Sequence, residues 1–241
     1  MSSEEKRQTM IDLARVSKTF PPDTHALDDV SLRIRQGEMI FLTGQSGAGK
    51  TTLLRLLCAI DSPDKGYIEI AGQDLSRASD AELQNLRRRI GVAYQDFKLL
   101  PDKTVAQNIA YSMEVSYRSR QFIRSQTEKL LSELHLLDKM DALAGCLSRG
   151  EQQRVAIARA AANEPELILA DEPTGNLDAE TTELVMQLFR RYNEQGTTLL
   201  IATHDHSIYN YFGSKIIKIE NGRLAIQKPV KPSRKAETRA W

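Results

Sequence analysis

Gly44-Gln45-Ser46-Gly47-Ala48-Gly49-Lys50-Thr51 fits the phosphate-loop pattern G-x-x-x-x-G-K-[ST], and its flanks supply the context such a loop requires. The apolar run Met39-Ile40-Phe41-Leu42 before it predicts a buried strand. After it, Leu53, Leu54, Leu57 and Ile60 recur at helical spacing. Glycines at 44, 47 and 49 let the backbone turn tightly and bring its N–H groups against phosphate oxygens, and the helix N-terminus adds a favourable dipole. Lys50 can then set its ammonium between the outer phosphates, and the Thr51 hydroxyl can ligate a bridging Mg²⁺. Gln45, Ser46, Ala48 and Thr52 complete the candidate nucleotide contacts, so the segment implies a chain that binds a nucleoside triphosphate.

Composition narrows the class. A chain of 241 residues can bury a full core, and the expectation is one domain over residues 10–227 with an inserted subdomain. Lysine plus arginine number 33 against 32 acids, a net charge of +1, which gives no global basic field and argues against nucleic acid as a partner. Residues 1–9 are polar and read as a flexible N-terminus, and no apolar stretch is long enough to span a bilayer. The expected location is therefore cytoplasmic, with docking on a membrane protein. Cys58 and Cys146 stand alone, outside any C-x-x-C or Cys/His cluster, and read as buried or inert thiols.

Periodicity gives the organisation. Val30, Leu32 and Ile34 alternate with Ser31, Arg33 and Arg35, as in a strand with one wet face. With Ile11 to Phe20 and Tyr67 to Ile70 they predict an N-terminal antiparallel β subdomain. From Ser79 the pattern becomes helical: Ser79 with Glu82, and Thr104 with Gln107, fit capping boxes. Ile123, Thr127, Leu130, Leu131, Leu134 and Leu137 form an apolar stripe, so an α-helical subdomain is expected over about 97–160. Leu167 to Ala170 and Thr198 to Ala202 read as central parallel strands, joined by an amphipathic helix through Leu184, Val185, Leu188, Phe189 and Tyr192. A hairpin with an Asn221-Gly222 turn follows. The segment 228–241 reads as a basic flexible tail, with weak attraction to an anionic membrane as a further reading.

Chemistry gathers where the predicted strands end, which is where α/β sheets bind ligands. Asp171 can orient a metal's water shell and Glu172 can polarise a water for in-line attack on a γ-phosphorus. His204, after the next strand, can touch the γ-phosphate and hold that water. Ser148 and Glu151 are spaced as a capping box, and the helix they open, with Gly150 in its first turn, is a second anion site. One chain does not need two such sites for one triphosphate, so the second can serve another chain's nucleotide.

In order and spacing, the loop at 44–51, Gln95, Leu147 to Arg154, Leu169-Ala170-Asp171-Glu172, Asn176-Leu177-Asp178 and His204 resemble an ABC-type ATPase subunit over roughly residues 10–226. The resemblance implies an α/β P-loop NTPase fold with a mostly parallel core sheet, and an ATP-induced homodimer packed head to tail. Each ATP then lies between one chain's phosphate loop and the other's Ser148 segment. Phe20 matches the aromatic that stacks on adenine, Gln95 the residue that reaches Mg²⁺ and the attacking water, and Asp178 an aspartate near the dimer seam. Gln95 to Leu100 with Asp102 to Val105 is similar to the family's bacterial cell-division branch, which implies a permease-like integral membrane partner and regulation of peptidoglycan hydrolases. Ala170 to Asp178 is shared with lipoprotein- and macrolide-export ATPases, and a slow ATP-gated scaffold is a third reading. Arg149 departs from the family pattern, which has two glycines after the serine. Its guanidinium either points away or joins the nucleotide site.

Overall fold

The computed structural model describes residues 8–205, 208–209 and 215–227, so the basic tail and all but the last two residues of the expected flexible N-terminus lie outside it. Two compact units emerge: one from the described parts of Met1–Ala78 and Leu200–Trp241, the other from Ser79–Leu199.

The first unit opens with β1 (Thr9–Phe20) and β2 (Thr24–Arg35), an antiparallel pair in which Leu13 faces Leu32 and Val16 faces Val30. Val30, Leu32 and Ile34 are buried while Ser31, Arg33 and Arg35 are exposed, as their alternation predicts. Next come β3 (Met39–Thr43), α1 (Lys50–Leu57), β4 (Lys65–Ile70) and β5 (Gln73–Asp74), giving a four-stranded sheet in the order β2-β1-β4-β5. Helix α1 buries Leu53, Leu54, Leu56 and Leu57 but stops there, and Ile60 is 45% exposed, so the helical spacing overran the helix by one turn.

The second unit begins with α2 (Asp80–Arg88), capped by Ser79 and Glu82, and β6 (Ile90–Ala93). Helices α3 (Val105–Glu114), α4 (Arg120–Glu133) and α5 (Arg149–Ala161) follow. Both boxes expected in this stretch, at Thr104 and at Ser148, are formed. The span 97–160 is thus only partly helical. Residues 97–104 form a loop instead, because buried Asn108 accepts from Leu100 N at 2.8 Å and donates to Leu100 O at 3.0 Å, giving that backbone side-chain partners in place of helical ones. The stripe on α4 is buried at Thr127, Leu130 and Leu131, with Leu134 just past its end, each leucine contributing about 1.5–3 kcal/mol. Leu137 sits on a short 3-10 turn and is exposed.

Strand β7 (Leu167–Asp171) pairs in parallel with β6 and is buried throughout. α6 (Ala179–Glu194) then leads to β8 (Thr198–Ala202), whose strand crosses the division between the units. Tyr192 on α6 donates to Ala161 O at 3.0 Å, and burial pushes its phenol up to about 12. Back in the first unit, β9 (Lys215–Glu220) pairs in parallel with β3, and β10 (Arg223–Gln227) returns antiparallel to it through Asn221 and Gly222. Both turn residues have positive φ, 48° and 75°, as a two-residue hairpin turn with matching twist requires. Cys58 is buried, and Cys146 is exposed on a 3-10 turn. Among the described residues, no helix is long and apolar enough to cross a membrane.

Candidate active site

In the first unit β3 delivers the chain into the phosphate loop, and α1 starts at Lys50. Two glycines there are required by close approach. A Cβ on Gly44 would meet Ile219 O at 2.4 Å, and one on Gly49, at φ 111°, would meet Ala26 O at 2.3 Å. Gly47, at φ 78°, has nothing within 4 Å of that position, so the loop is walled by protein on one side and open at its tip. The back wall is fixed by the hairpin turn: Gly222 N donates to Ala48 O at 3.2 Å, and Asp28 N donates to Gly222 O at 2.9 Å.

Lys50 is 8% exposed, and its Nζ donates to Gly44 O at 2.7 Å and Gln45 O at 3.2 Å, so the ammonium folds back over the loop's own carbonyls. Gln45, Ser46 and Thr51 are exposed, and Ala48 and Thr52 are half-buried. An open rim with backbone N–H groups, a cation and a hydroxyl fits a triphosphate. Thr203 N donates to Leu42 O at 3.0 Å, which brings the segment carrying exposed His204 beside the strand that enters the loop. Phe20 ends β1 half-buried, with Lys18 Nζ 5.5 Å from its ring centroid.

The second unit holds the remaining candidates. Asp171 ends β7 and is 6% exposed, while Glu172 follows half-buried with φ 48°. A left-handed backbone is costly at a residue with a Cβ and persists only where its surroundings hold it. Here Gln153 on α5 does so: its Nε2 donates to Glu172 O at 2.8 Å, and its Oε1 accepts from Asn176 N at 3.2 Å. Asp178 caps α6 by accepting from Thr181 N at 2.8 Å, and that bond holds its carboxyl below the usual range. Ser148 caps α5 and is exposed. Gly150 lies over the same loop, since a Cβ there would be 3.4 Å from Asn176 O. Gln95 is exposed just after β6, and Phe97 and Lys98 beyond it both have positive φ, 61° and 47°. Arg159, near the end of α5, donates to both of their carbonyls, at 2.6 and 2.7 Å.

The structure therefore groups Phe20, the phosphate loop and His204 in one unit, and Gln95, Ser148, Gly150, Asp171, Glu172 and Asp178 in the other. The helix that Ser148 opens holds both strained loops of that second group, through Gln153 and Arg159. Arg159 lies outside the motif segments, and Gln153, although within Leu147 to Arg154, is not singled out there for any role. A signal exists for Gln153, because it lies on the same face as buried Ala156, Ile157 and Ala160, where a polar side chain needs partners. Thr51 in the first unit offers a hydroxyl oxygen, and Gln95 and Asp171 in the second offer an amide and a carboxylate oxygen, each a hard donor of the kind Mg²⁺ takes. Among the described residues no cluster of three His, Cys, Asp or Glu side chains forms an all-protein cage, which a Mg²⁺ held largely by substrate phosphates does not need.

The family described as ABC transporter matches residues 27–175, and this chain belongs to it: it is an ATP-binding, ATP-hydrolysing ABC cassette. Its relatives include cell-division ATP-binding proteins. Over 216 residues it is 44% identical to the cell division ATP-binding protein FtsE of Streptococcus pneumoniae, covering 90% of this chain and 94% of that one. It is 43% identical over 215 residues to FtsE of Escherichia coli, covering 89% and 97%. Among solved structures, a dimeric ATP-binding cassette in a post-hydrolysis state bound to ADP and Pi superposes with a TM-score of 0.87 at 35% identity, covering 92% of this chain and 99% of that one.

Proposed function

We propose that this chain is the ATPase subunit of an FtsEX-like complex. Two copies close head to tail on ATP and reopen after hydrolysis, and an FtsX-like integral membrane protein receives that movement to regulate peptidoglycan hydrolysis during division. The observation that carries this reading is identity of 43–44% to FtsE proteins of different bacteria over about nine-tenths of the chain. The chain then works as a peripheral protein on the inner face of the cell membrane.

Within that reading each candidate residue has a role. Phe20 stacks on the adenine. Backbone N–H groups of residues 44–52 and the Lys50 ammonium bind the phosphates. Glu172 takes the proton of the attacking water, and His204 orients that water against the γ-phosphate. Gln95 senses the same water while its loop, with α3 and α4, receives the membrane partner. Ser148 and Gly150 close on the partner copy's ATP, with Asp178 at the seam. Thr51, Asp171 and Gln95 would hold Mg²⁺, which supplies charge neutralisation between the outer phosphates when bound.

Affinity purification of the tagged full chain from membranes tests the assignment. An FtsX-like protein should come down with it, and recovery of a lipoprotein- or macrolide-type permease in its place would overturn the cell-division role.

A further inference from the structure

We propose that Gln153 is a positioning residue for Glu172, holding the catalytic glutamate's backbone in its left-handed conformation from the helix that Ser148 opens. The inference rests on the reading of Glu172 as general base. Gln153 is 2% exposed, and both ends of its amide are used: Nε2 on Glu172 O at 2.8 Å and Oε1 on Asn176 N at 3.2 Å. Its amide therefore spans the turn Glu172-Pro173-Thr174-Gly175-Asn176, which is closed at its base by Gly175 N donating to Glu172 O at 3.3 Å. A single amide clamps both ends of the turn that aims Glu172.

The φ of 48° at Glu172 is what needs the clamp. An L-residue leaves that region when nothing holds it, because its Cβ crowds the adjacent carbonyl. Losing the Nε2 donor removes the shorter of the bonds from Gln153 and Gly175 to the Glu172 carbonyl and loosens that peptide, and its rotation swings the side chain away from the direction in which it meets water. ATP binding is untouched by such a movement, since no phosphate contact runs through Gln153. The same helix starts at the Ser148 cap one and a half turns earlier, so a shift of the cap reaches Glu172 through one rigid rod and one amide.

The test uses the full chain at saturating Mg-ATP with two variants. Gln153→Met keeps volume and removes both hydrogen bonds. It should lower kcat about tenfold or more while the KM for ATP stays within about twofold. Gln153→Glu keeps an acceptor for Asn176 N and loses the donor. Burial raises the introduced carboxyl's pKa, so it is an anion facing a carbonyl at high pH and an O–H donor to that carbonyl at lower pH. Its kcat relative to the parent should therefore rise as pH falls from about 8 to 6, a response that simple packing would not give. A kcat for Gln153→Met within twofold of the parent, or a pH-independent ratio for Gln153→Glu, overturns the proposal. Should Gln153→Met fail to fold, the pH ratio decides alone. Glu172→Gln is run beside them: fast turnover there overturns both this inference and the general-base role, whereas an inactive Glu172→Gln with an undiminished Gln153→Met overturns this inference only.

Discussion

Arg159 Nη1 donates to Lys98 O at 2.7 Å, tying the last turns of α5 to the loop that follows Gln95. Its Nη2 takes Phe97 O at 2.6 Å, and burial holds the guanidinium's pKa below its ordinary value. Arg159→Met should strand both carbonyls and cost about 1–3 kcal/mol. Arg159→Lys should recover only part of that, because one ammonium cannot reproduce a planar fork. Urea unfolding measures both, and equal stability of the methionine variant and the parent would show the bonds to be idle.

Lys50 and Glu172 should fail in different ways. Lys50→Ala should lower ATP affinity at least about tenfold, while Glu172→Gln should bind ATP normally and lose about 10²- to 10⁴-fold in turnover. Fluorescent-ATP titration and phosphate release separate the two. Normal affinity in Lys50→Ala would contradict the phosphate-loop assignment.

The glycines of the loop should not be equivalent. Gly49→Ala places a Cβ 2.3 Å from Ala26 O on a backbone at φ 111° and should cost more than about 2 kcal/mol. Gly47→Ala meets no atom within 4 Å and should cost only the strain of φ 78°, about 1–2 kcal/mol. Thermal unfolding of the two variants orders them, and the reverse order would mean that the loop is not walled as described.

The Ser148 cap should carry an acid-sensitive share of stability. The Ser148 hydroxyl and backbone N–H hold the Glu151 carboxyl below the usual range, so the folded state takes up that proton less readily than the unfolded chain. Stability from this group is complete above the unfolded value of about 4.3 and disappears as pH falls through the depressed folded value. The parent's advantage over Glu151→Gln should accordingly shrink from pH 7 towards pH 3, read as the difference in urea midpoints. A difference that stays constant with pH would place the effect elsewhere.

Arg149 should act on the assembled dimer. Exposed in the first turn of α5, it is unfavourable towards the helix dipole by about 0.3–1 kcal/mol, but across a dimer seam it would face a triphosphate. In a Glu172→Gln background, light scattering across a salt series should show tighter and more salt-sensitive ATP-dependent dimers than with Arg149→Gly. Equal or better dimerisation of the glycine variant at low salt would mean that the arginine points away.

Local chemistry made much of this molecule legible before its folding was seen. The capping boxes at Ser79, Thr104 and Ser148 and the Asn221-Gly222 turn each need only a few neighbouring residues, and all formed. Ile60 and Leu137 were misplaced because apolar spacing does not reveal where a helix loses its cover. The loop over 97–104 was hidden for a related reason: Asn108 and Arg159 hold it through backbone carbonyls, which carry no side-chain signature. Phosphate-loop glycines were readable as a motif, yet the atoms that make Gly44 and Gly49 necessary, Ile219 O and Ala26 O, come from distant parts of the chain.

The turn at Gly222 sets an order of events during synthesis. Ala48 and Gly44 emerge from the ribosome early, but the N–H of Gly222 that anchors Ala48 and the Ile219 carbonyl that backs Gly44 arrive some 170 residues later. Until that hairpin has been made and has docked beside β3, the nascent nucleotide loop has the Ala26 carbonyl behind Gly49 but lacks the rest of its back wall. A chain stopped before the hairpin therefore carries the phosphate-loop sequence without the Gly222 bond to Ala48 or the Ile219 carbonyl behind Gly44.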